Sequence, residues 1–452
     1  MMEPMTPRTK RILMKTAIVV AVIAVVYIGL TVWSFIALHR AYAALKRDGR
    51  PMTLAEVLPP PLADADNAAP LYEKALHILQ TERIGDQTLR DRLHADVKLL
   101  NSTNLAATSL ANFRGAITTP AAVEAMGLIV QAGMRKGCRF SWIADETHFN
   151  LQTSSGLQYF SELSDLNRIV SWEARRLAVD GDAAAARQMA VAHLRLARAR
   201  IGTPCLVGSL VDLAQQGRTL PAVQIVCSRQ PPSAVEAAEL RSELLRCDDP
   251  NSCATAMDGE RLSFGQQLFA AHSAAQAANL LTPPGNAPTT PAILTYQPFA
   301  ALHDLTGRLL GVAYFSKANP VLRLDHAAYL DLRRQQATQS LESPFSPAHV
   351  PVWCLVAKAS TDAEESYHNM FRRHLALVRC TASGLALLVY KKEQGKWPES
   401  LAMCMERVPV DPFNGKPLQY HQTANGFVVS SVGTTRKHDK QIAWEYEPDN
   451  VR

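Results

Sequence analysis

Hydrophobic and polar positions follow two different regimes along the chain. Residues 16–38, TAIVVAVIAVVYIGLTVWSFIAL, form an unbroken apolar run without Asp, Glu, Lys or Arg. As a helix rising about 1.5 Å per residue, this run crosses a hydrocarbon core of roughly 30 Å, and no other run in the sequence does. Beyond it, apolar residues recur at spacings of three and four, the period of helices that bury one face. The clearest case is residues 161–201. Leu163, Leu166, Val170, Ala174 and Leu177 line one helix face, Asp180-Gly181-Asp182 interrupts, and Ala190, Leu194, Ala197 and Ile201 line the next. This predicts an antiparallel helical hairpin, with Gly181 closing the first helix and Asp182 capping the second.

The same period predicts helices beginning near Ala69, with Asn67 as cap and Pro70 in the first turn, and after Thr119-Pro120. Further helices are expected over 206–226, 233–246, 257–280, 321–339 and 361–392, with breaks at Ser343-Pro344 and Ser346-Pro347. The tail changes period. Residues 418–421, 426–431 and 441–446 read as short strands, the first two joined across Gln422 to Gly426. The fold class is therefore mainly α: an N-terminal transmembrane helix, an irregular, TPR-like domain of antiparallel helical hairpins, and a small C-terminal β-meander. No steady repeat period runs through the hairpins, so a stack of unequal pairs is expected over a true repeat array.

This divides the chain into a cytoplasmic tail (1–15), the span (16–38), a juxtamembrane segment with a proline-rich linker at Leu58 to Pro61 (39–68), the helical domain (69–392) and the β-element (393–452). A Pro-, Thr- and Ala-rich excursion over 282–298 interrupts the helical domain. A cleaved signal peptide is the competing reading, because Ala41-Tyr42-Ala43 has the small-x-small form. The apolar run is longer than the usual core of about 7–15 residues, and Arg40 intrudes, so an uncleaved anchor is expected. Basic residues flank the run on both sides, Arg8, Lys10, Arg11 and Lys15 against Arg40, Lys46, Arg47 and Arg50, so the positive-inside rule is tied. The short N-terminal flank favours an inside N-terminus. The large domain is then extracytoplasmic, on an inner-membrane anchor.

A net charge of +6 over 452 residues, with much of it beside the span, carries no nucleic-acid footprint. The eight cysteines are scattered without a CxxC pair. Cys247 and Cys253 bracket a short turn, and two readings stay open: a disulfide, if the domain is extracytoplasmic, or two buried apolar side chains.

The tail motifs YKKEQGKWPESL, VPVDPFNGKPLQY and NGFVVSSVG carry a resemblance. With Asp411-Pro412, Gly415, Pro417, Tyr420 and Ser430-Ser431-Val432-Gly433 in order, the last sixty or so residues resemble the C-termini of uncharacterised single-pass membrane-anchored bacterial helical proteins and of the type II secretion major pseudopilins. Asn67-Ala68-Ala69-Pro70-Leu71-Tyr72 and the hairpin look like the first group, which implies no activity. The pseudopilin likeness implies a tail fold only. The prepilin cleavage pattern is absent, and Thr434-Thr435-Arg436-Lys437 replaces the acidic loop that resembles a calcium site in that family.

Candidate chemistry is sparse. Glu365 and His368 form a Glu-x-x-His pair with Glu364 one turn away, but a di-iron site needs a second such pair, so a solvated helix face is expected. Signatures of common hydrolases, dinucleotide and nucleotide binders and zinc proteases are missing. Arg175, Arg176, Arg187, Arg195, Arg198 and Arg200 along the hairpin read as a solvent-facing series, or else a surface for an acidic partner. Trp142, Trp172, Trp353, Trp397 and Trp444 read as core or interface residues. No catalytic, cofactor or metal residues are assigned. The sequence points to an anchored extracytoplasmic interaction or scaffold protein with a protein partner. An accessory part of a secretion or pilus-like system is the alternative on the strength of the tail. An enzyme of unrecognised class would instead show a cleft lined by acids or histidines from separate helices.

Overall fold

The apolar run lies within one helix of 41 residues, α1 (Pro7–Arg47), in the computed structural model, which describes residues 7–58, 60–100, 106–140, 154–199, 205–270, 319–343, 346–351, 354–361, 364–433 and 442–446. α1 is about 60 Å long, twice a hydrocarbon core. Most of its apolar side chains between Ile12 and Ile36 are exposed, Val25 to 69%, and the helix is long and apolar enough to cross a membrane. It stops at Gly49, whose φ of +67° lets the Arg50 N–H return to the Leu45 carbonyl at 2.9 Å.

In chain order there follow α2 (Ala69–Thr81), a hairpin of β1 (Arg83–Ile84) and β2 (Gln87–Thr88), and α3 (Leu89–Leu100). Next come α4 (Ala106–Ile117), α5 (Pro120–Gly133), α6 (Ser154–Val179), α7 (Ala183–Arg198), α8 (Leu206–Arg229), α9 (Ala234–Leu245) and α10 (Ser252–Glu260). A π-helical turn, Arg261–Gly265, leads to α11 (Gln266–Ala270); then come α12 (Pro320–Thr338), α13 (Leu355–Ala359) and α14 (Glu364–Gln394). Strands β3 (Gln419–Gln422), β4 (Phe427–Ser430) and β5 (Ala443–Tyr446) end the chain as an antiparallel meander in the order β3-β4-β5. The mainly helical fold with a small C-terminal sheet is thus as expected. The β1–β2 hairpin is not foreseen, because strands of two residues carry no alternation to read.

Two compact units divide the chain. The first comprises Met1–Glu56, Glu260–Gln336 and Pro347–Glu364, and the second Val57–Gly259, Ala337–Ser346 and Glu365–Arg452. In the first, the last turns of α1 are built into the unit. Arg323 of α12 donates to Ser34 Oγ at 2.9 Å and lies 4.3 Å above the Phe35 ring. Tyr42 meets His326 edge-on at 5.9 Å, and Arg334 binds Asp48 at 2.9 Å. The buried Asp325 carboxylate accepts from the Val356 and Ala357 N–H groups at 2.8 and 3.0 Å, supplying acceptors to donors left over at the start of α13.

In the second unit, the α6/α7 hairpin forms as its sequence predicts. Leu163, Leu166, Val170, Ala174, Ala190 and Leu194 are fully buried, and Ile201 lies outside the described residues. Gly181 has φ +90°, and the Asp182 carboxylate accepts from the Ala185 N–H at 3.0 Å. α8 packs on both helices, and α2 packs on α5. α9 starts with a capping box in which Ser233 and Glu236 satisfy each other's backbone N–H groups. Asn67 does more than cap α2: its Oδ1 accepts from Ala69 N and Arg139 N at 3.1 and 2.8 Å, while Nδ2 donates to the Arg139 carbonyl at 2.9 Å. That fixes the loop after α5 against the start of α2. The excursion over 282–298 and residues 434–437 lie outside the described residues.

A basic cavity as the candidate site

The hairpin arginines are not a solvated series. Arg176 holds Glu173 at 2.7 Å and Asp180 at 2.6 Å, Arg187 holds Glu236 at 2.6 Å, and Arg175 lies 4.9 Å from the Trp172 ring. All are half-buried: acids from α6 and α9 meet Arg176 and Arg187, and the Trp172 ring meets Arg175; Arg200 lies outside the described residues. Arg195 and Arg198, near the end of α7, converge with Arg246 on one carboxylate. Glu243, only 4% exposed at its side chain, lies 3.1 Å from Arg195, 3.0 Å from Arg198 and 3.2 Å from Arg246. Arg195 also donates to the Gly133 carbonyl at 2.9 Å, closing the C-terminus of α5, and reaches the exposed Glu239 at 3.4 Å.

These arginines form one wall of a cavity of about 660 Å³ within the second unit. The loop after α5 contributes Arg135 and Lys136. Arg135 donates to the Ala65 carbonyl, and Lys136 pairs with Asp66 at 3.1 Å. α8 contributes Ser209, Asp212, Leu213 and Gln216, spaced along one helix face; Asp249, Ser252 and Thr255 come from the start of α10, and Phe371 and His374 from α14. The lining therefore holds five Lys or Arg side chains against two carboxylates, while Glu243, Glu239 and Asp66 stand behind it. Such a wall is rich in charged donors and fits an anion. His374 adds no charge near neutral pH, since burial lowers its pKa to about 4 against a smaller opposing effect of the Cys247 backbone.

Other sequence candidates fall elsewhere. Glu365 is exposed, whereas His368 is 4% exposed, so the pair is not a solvated face. Burial and then the Arg372 charge lower the His368 pKa to about 4. Cys247 and Cys253 are free thiols buried in different apolar clusters, the second of the two open readings. Trp397 and Trp444 pack around Phe427, with centroids at 5.3 and 5.6 Å, and Trp172 packs at the edge of the core. Trp142 and Trp353 lie outside the described residues. Among the described residues, no group of three or more His, Cys, Asp or Glu side chains is placed to hold a metal ion. Most cavity residues escaped sequence reasoning because they come from separate segments. The one local signal was the polar stripe Ser209, Asp212 and Gln216 on a helix that is otherwise mostly apolar.

The fold is that of a mainly helical protein in which, among the described residues, one helix is long and apolar enough to cross a membrane. Set against protein-family models, curated proteins and solved structures, the chain matches none of them.

Proposed function

We propose that this is a membrane-anchored interaction or scaffold protein of the bacterial cell envelope. α1 crosses the inner membrane once with its N-terminus in the cytoplasm, and the TPR-like helical hairpins of the second unit receive an acidic group in the basic cavity. The observation that carries the reading is the gathering of Arg195, Arg198 and Arg246 in the cavity wall by one buried carboxylate behind it, Glu243. Retention of the anchor is supported by Tyr42 and Leu45. Both are packed in the continuous α1, where cleavage after Ala43 would cut through folded helix. Unpaired thiols are compatible with an oxidising compartment here, because burial raises Cys227, Cys247 and Cys380 to about 12 and keeps thiolate scarce.

An accessory role in a secretion or pilus-like system is the second reading. It is supported by the tail motif, whose Asp411, Tyr420 and Ser431 make buried or half-buried tertiary hydrogen bonds. An enzyme is favoured by His374, Asp212 and Asp249 sharing one cavity. Binding is preferred, because among the described residues no cavity Ser, Thr or Cys side chain is hydrogen-bonded to His374. The test is affinity isolation of the full chain from native membranes in mild detergent, followed by native mass spectrometry. A bound species in fixed ratio, lost from Arg198→Gln and Arg246→Gln, supports the reading. Recovery of the chain alone at low and moderate salt overturns it.

A further inference from the structure

The arrangement of donors around the cavity says more than that an anion fits. Carboxylates are planar, and a single guanidinium fork satisfies one. Here the cations approach from different elements: Arg195 and Arg198 from the end of α7, Arg246 from beyond α9, and Arg135 and Lys136 from the loop after α5. Three of them share Glu243, Arg135 holds the Ala65 carbonyl and Lys136 holds Asp66, yet each guanidinium keeps N–H donors to spare, and Arg198 Nε is buried without a partner. Spare donors on several sides of a cavity suit a tetrahedral group with three acceptor oxygens and a charge of about −1.5 to −2, which is a phosphate monoester. Hydroxyl groups add to these cations. Thr255 in the first turn of α10 and Ser209 near the start of α8 bring theirs to the lining, their backbone N–H groups being taken by the Asn251 and Cys205 carbonyls at 2.9 Å each. The unfavourable C-terminus of α5 is closed by Arg195 at the Gly133 carbonyl, 2.9 Å away.

The rest of the lining describes what the phosphate is attached to. Ser209 and Gln216 on α8 and Thr255 on α10 offer neutral donors and acceptors, and Asp212 and Asp249 offer carboxylate acceptors for hydroxyl groups. Apolar surface is limited to Leu213, Met134, Phe371 and small residues. A volume of about 660 Å³ is in the range of small-ligand sites. An aliphatic or aromatic ligand finds few partners on such walls, and an anion without hydroxyls leaves the α8 stripe unused.

We infer that the cavity of the second unit binds a small phosphate monoester with a polyhydroxy body, its phosphate on Arg198 and Arg246 and its hydroxyls along Ser209, Gln216, Thr255 and Asp212. The inference rests on the proposed reading of the cavity as the place where an acidic group is received. Its phosphate monoester chemistry is shared by soluble sugar phosphates and by lipid headgroups such as phosphatidic acid.

The test uses the full chain in detergent, freed of bound small molecules, titrated calorimetrically with glucose 6-phosphate, inorganic phosphate, succinate and glucose. Phosphatidic acid vesicles serve as a competing arm against phosphatidylcholine vesicles. Glucose 6-phosphate should bind one to one, at least tenfold tighter than the other soluble probes, and weaken as salt is raised. Arg198→Gln and Arg246→Gln should each cost tenfold or more. Arg246 is 59% exposed at its side chain, so that variant tests binding without threatening the fold. The double variant Ser209→Ala with Thr255→Val should bring glucose 6-phosphate down to the affinity of inorganic phosphate and leave phosphate itself unchanged. Displacement of glucose 6-phosphate by phosphatidic acid but not phosphatidylcholine assigns the source to the lipid, and no displacement assigns it to a soluble compound. Succinate bound while both phosphates are not overturns this inference and leaves the acidic-group reading standing. No binding of any charged probe overturns both.

Discussion

Asp411 shows how one buried side chain organises the tail. It is 1% exposed, and its carboxylate accepts from Phe413 N at 2.9 Å, Ser431 Oγ at 2.9 Å and Val432 N at 2.7 Å. Removing it strands three donors in a dry place, so Asp411→Ala should cost about 2–4 kcal/mol of stability. Asp411→Asn keeps one carbonyl oxygen and should lose less. Denaturant unfolding followed by tryptophan fluorescence checks both, and an unchanged midpoint for the alanine variant would refute the assignment. Several residues of the tail motif, Asp411, Gly415, Tyr420, Ser431 and Gly433, thus have structural work in it, Tyr420 donating to the Pro398 carbonyl at 2.9 Å and Gly415 and Gly433 having φ of +68° and +66°. The arginines show the opposite. Spacing on α6 and α7 says which side of a helix a charge occupies, but it cannot say that Glu236, Glu239 and Glu243 of α9 lie across from it.

Between elements, a close constraint lies where α14 meets β5. A Cβ placed on Gly384 would come within 2.0 Å of Cε3 of Trp444, which is 2% exposed and packs on Phe427. Gly384→Ala therefore forces the indole or the helix to shift and should cost about 1–3 kcal/mol, as overpacking a core does. Alanine is the better helix former, so an increase in thermal midpoint would show that propensity outweighs the clash. Elements that were legible before the structure had both a periodic face and explicit ends, as in the α6/α7 hairpin with its Asp180-Gly181-Asp182 turn. Elements that were not legible lacked one of the two. The π-helical turn at Arg261–Gly265 falls inside a stretch read as one regular helix. There Gly265 accommodates the Tyr329 ring, to which a Cβ would approach within 2.6 Å, a long-range fit that no local period encodes.

Across the whole molecule, buried imidazoles set the response to acid. Burial, with Arg175 adding to it, lowers His193 to about 3, where its Nε2 lies 3.1 Å from Asn167 Oδ1. Burial is also the main cause that brings His326, His368 and His374 to about 4. Unfolded, all four titrate near 6.5, so between about pH 6.5 and 4 the unfolded chain binds more protons than the folded one. Their contribution to stability is complete above that window and is lost as pH falls through it, at about 1.4 kcal/mol per pH unit for each fully depressed group. Asp96 and Glu173 act in the other direction. Burial raises their pKa, so they favour the folded chain as they take up protons, partly offsetting the loss toward the acid end. Urea midpoints at pH 7.5, 6.0 and 5.0 should therefore fall steadily. The second unit, which holds His193, His368 and His374, should lose more than the first, which holds His326. Replacing His374 by Gln should flatten the decline without adding a charge. A midpoint that stays level from pH 7.5 to 5.0 would mean that these rings keep access to protons in the folded chain, and that the second unit opens far more readily than its packed core requires.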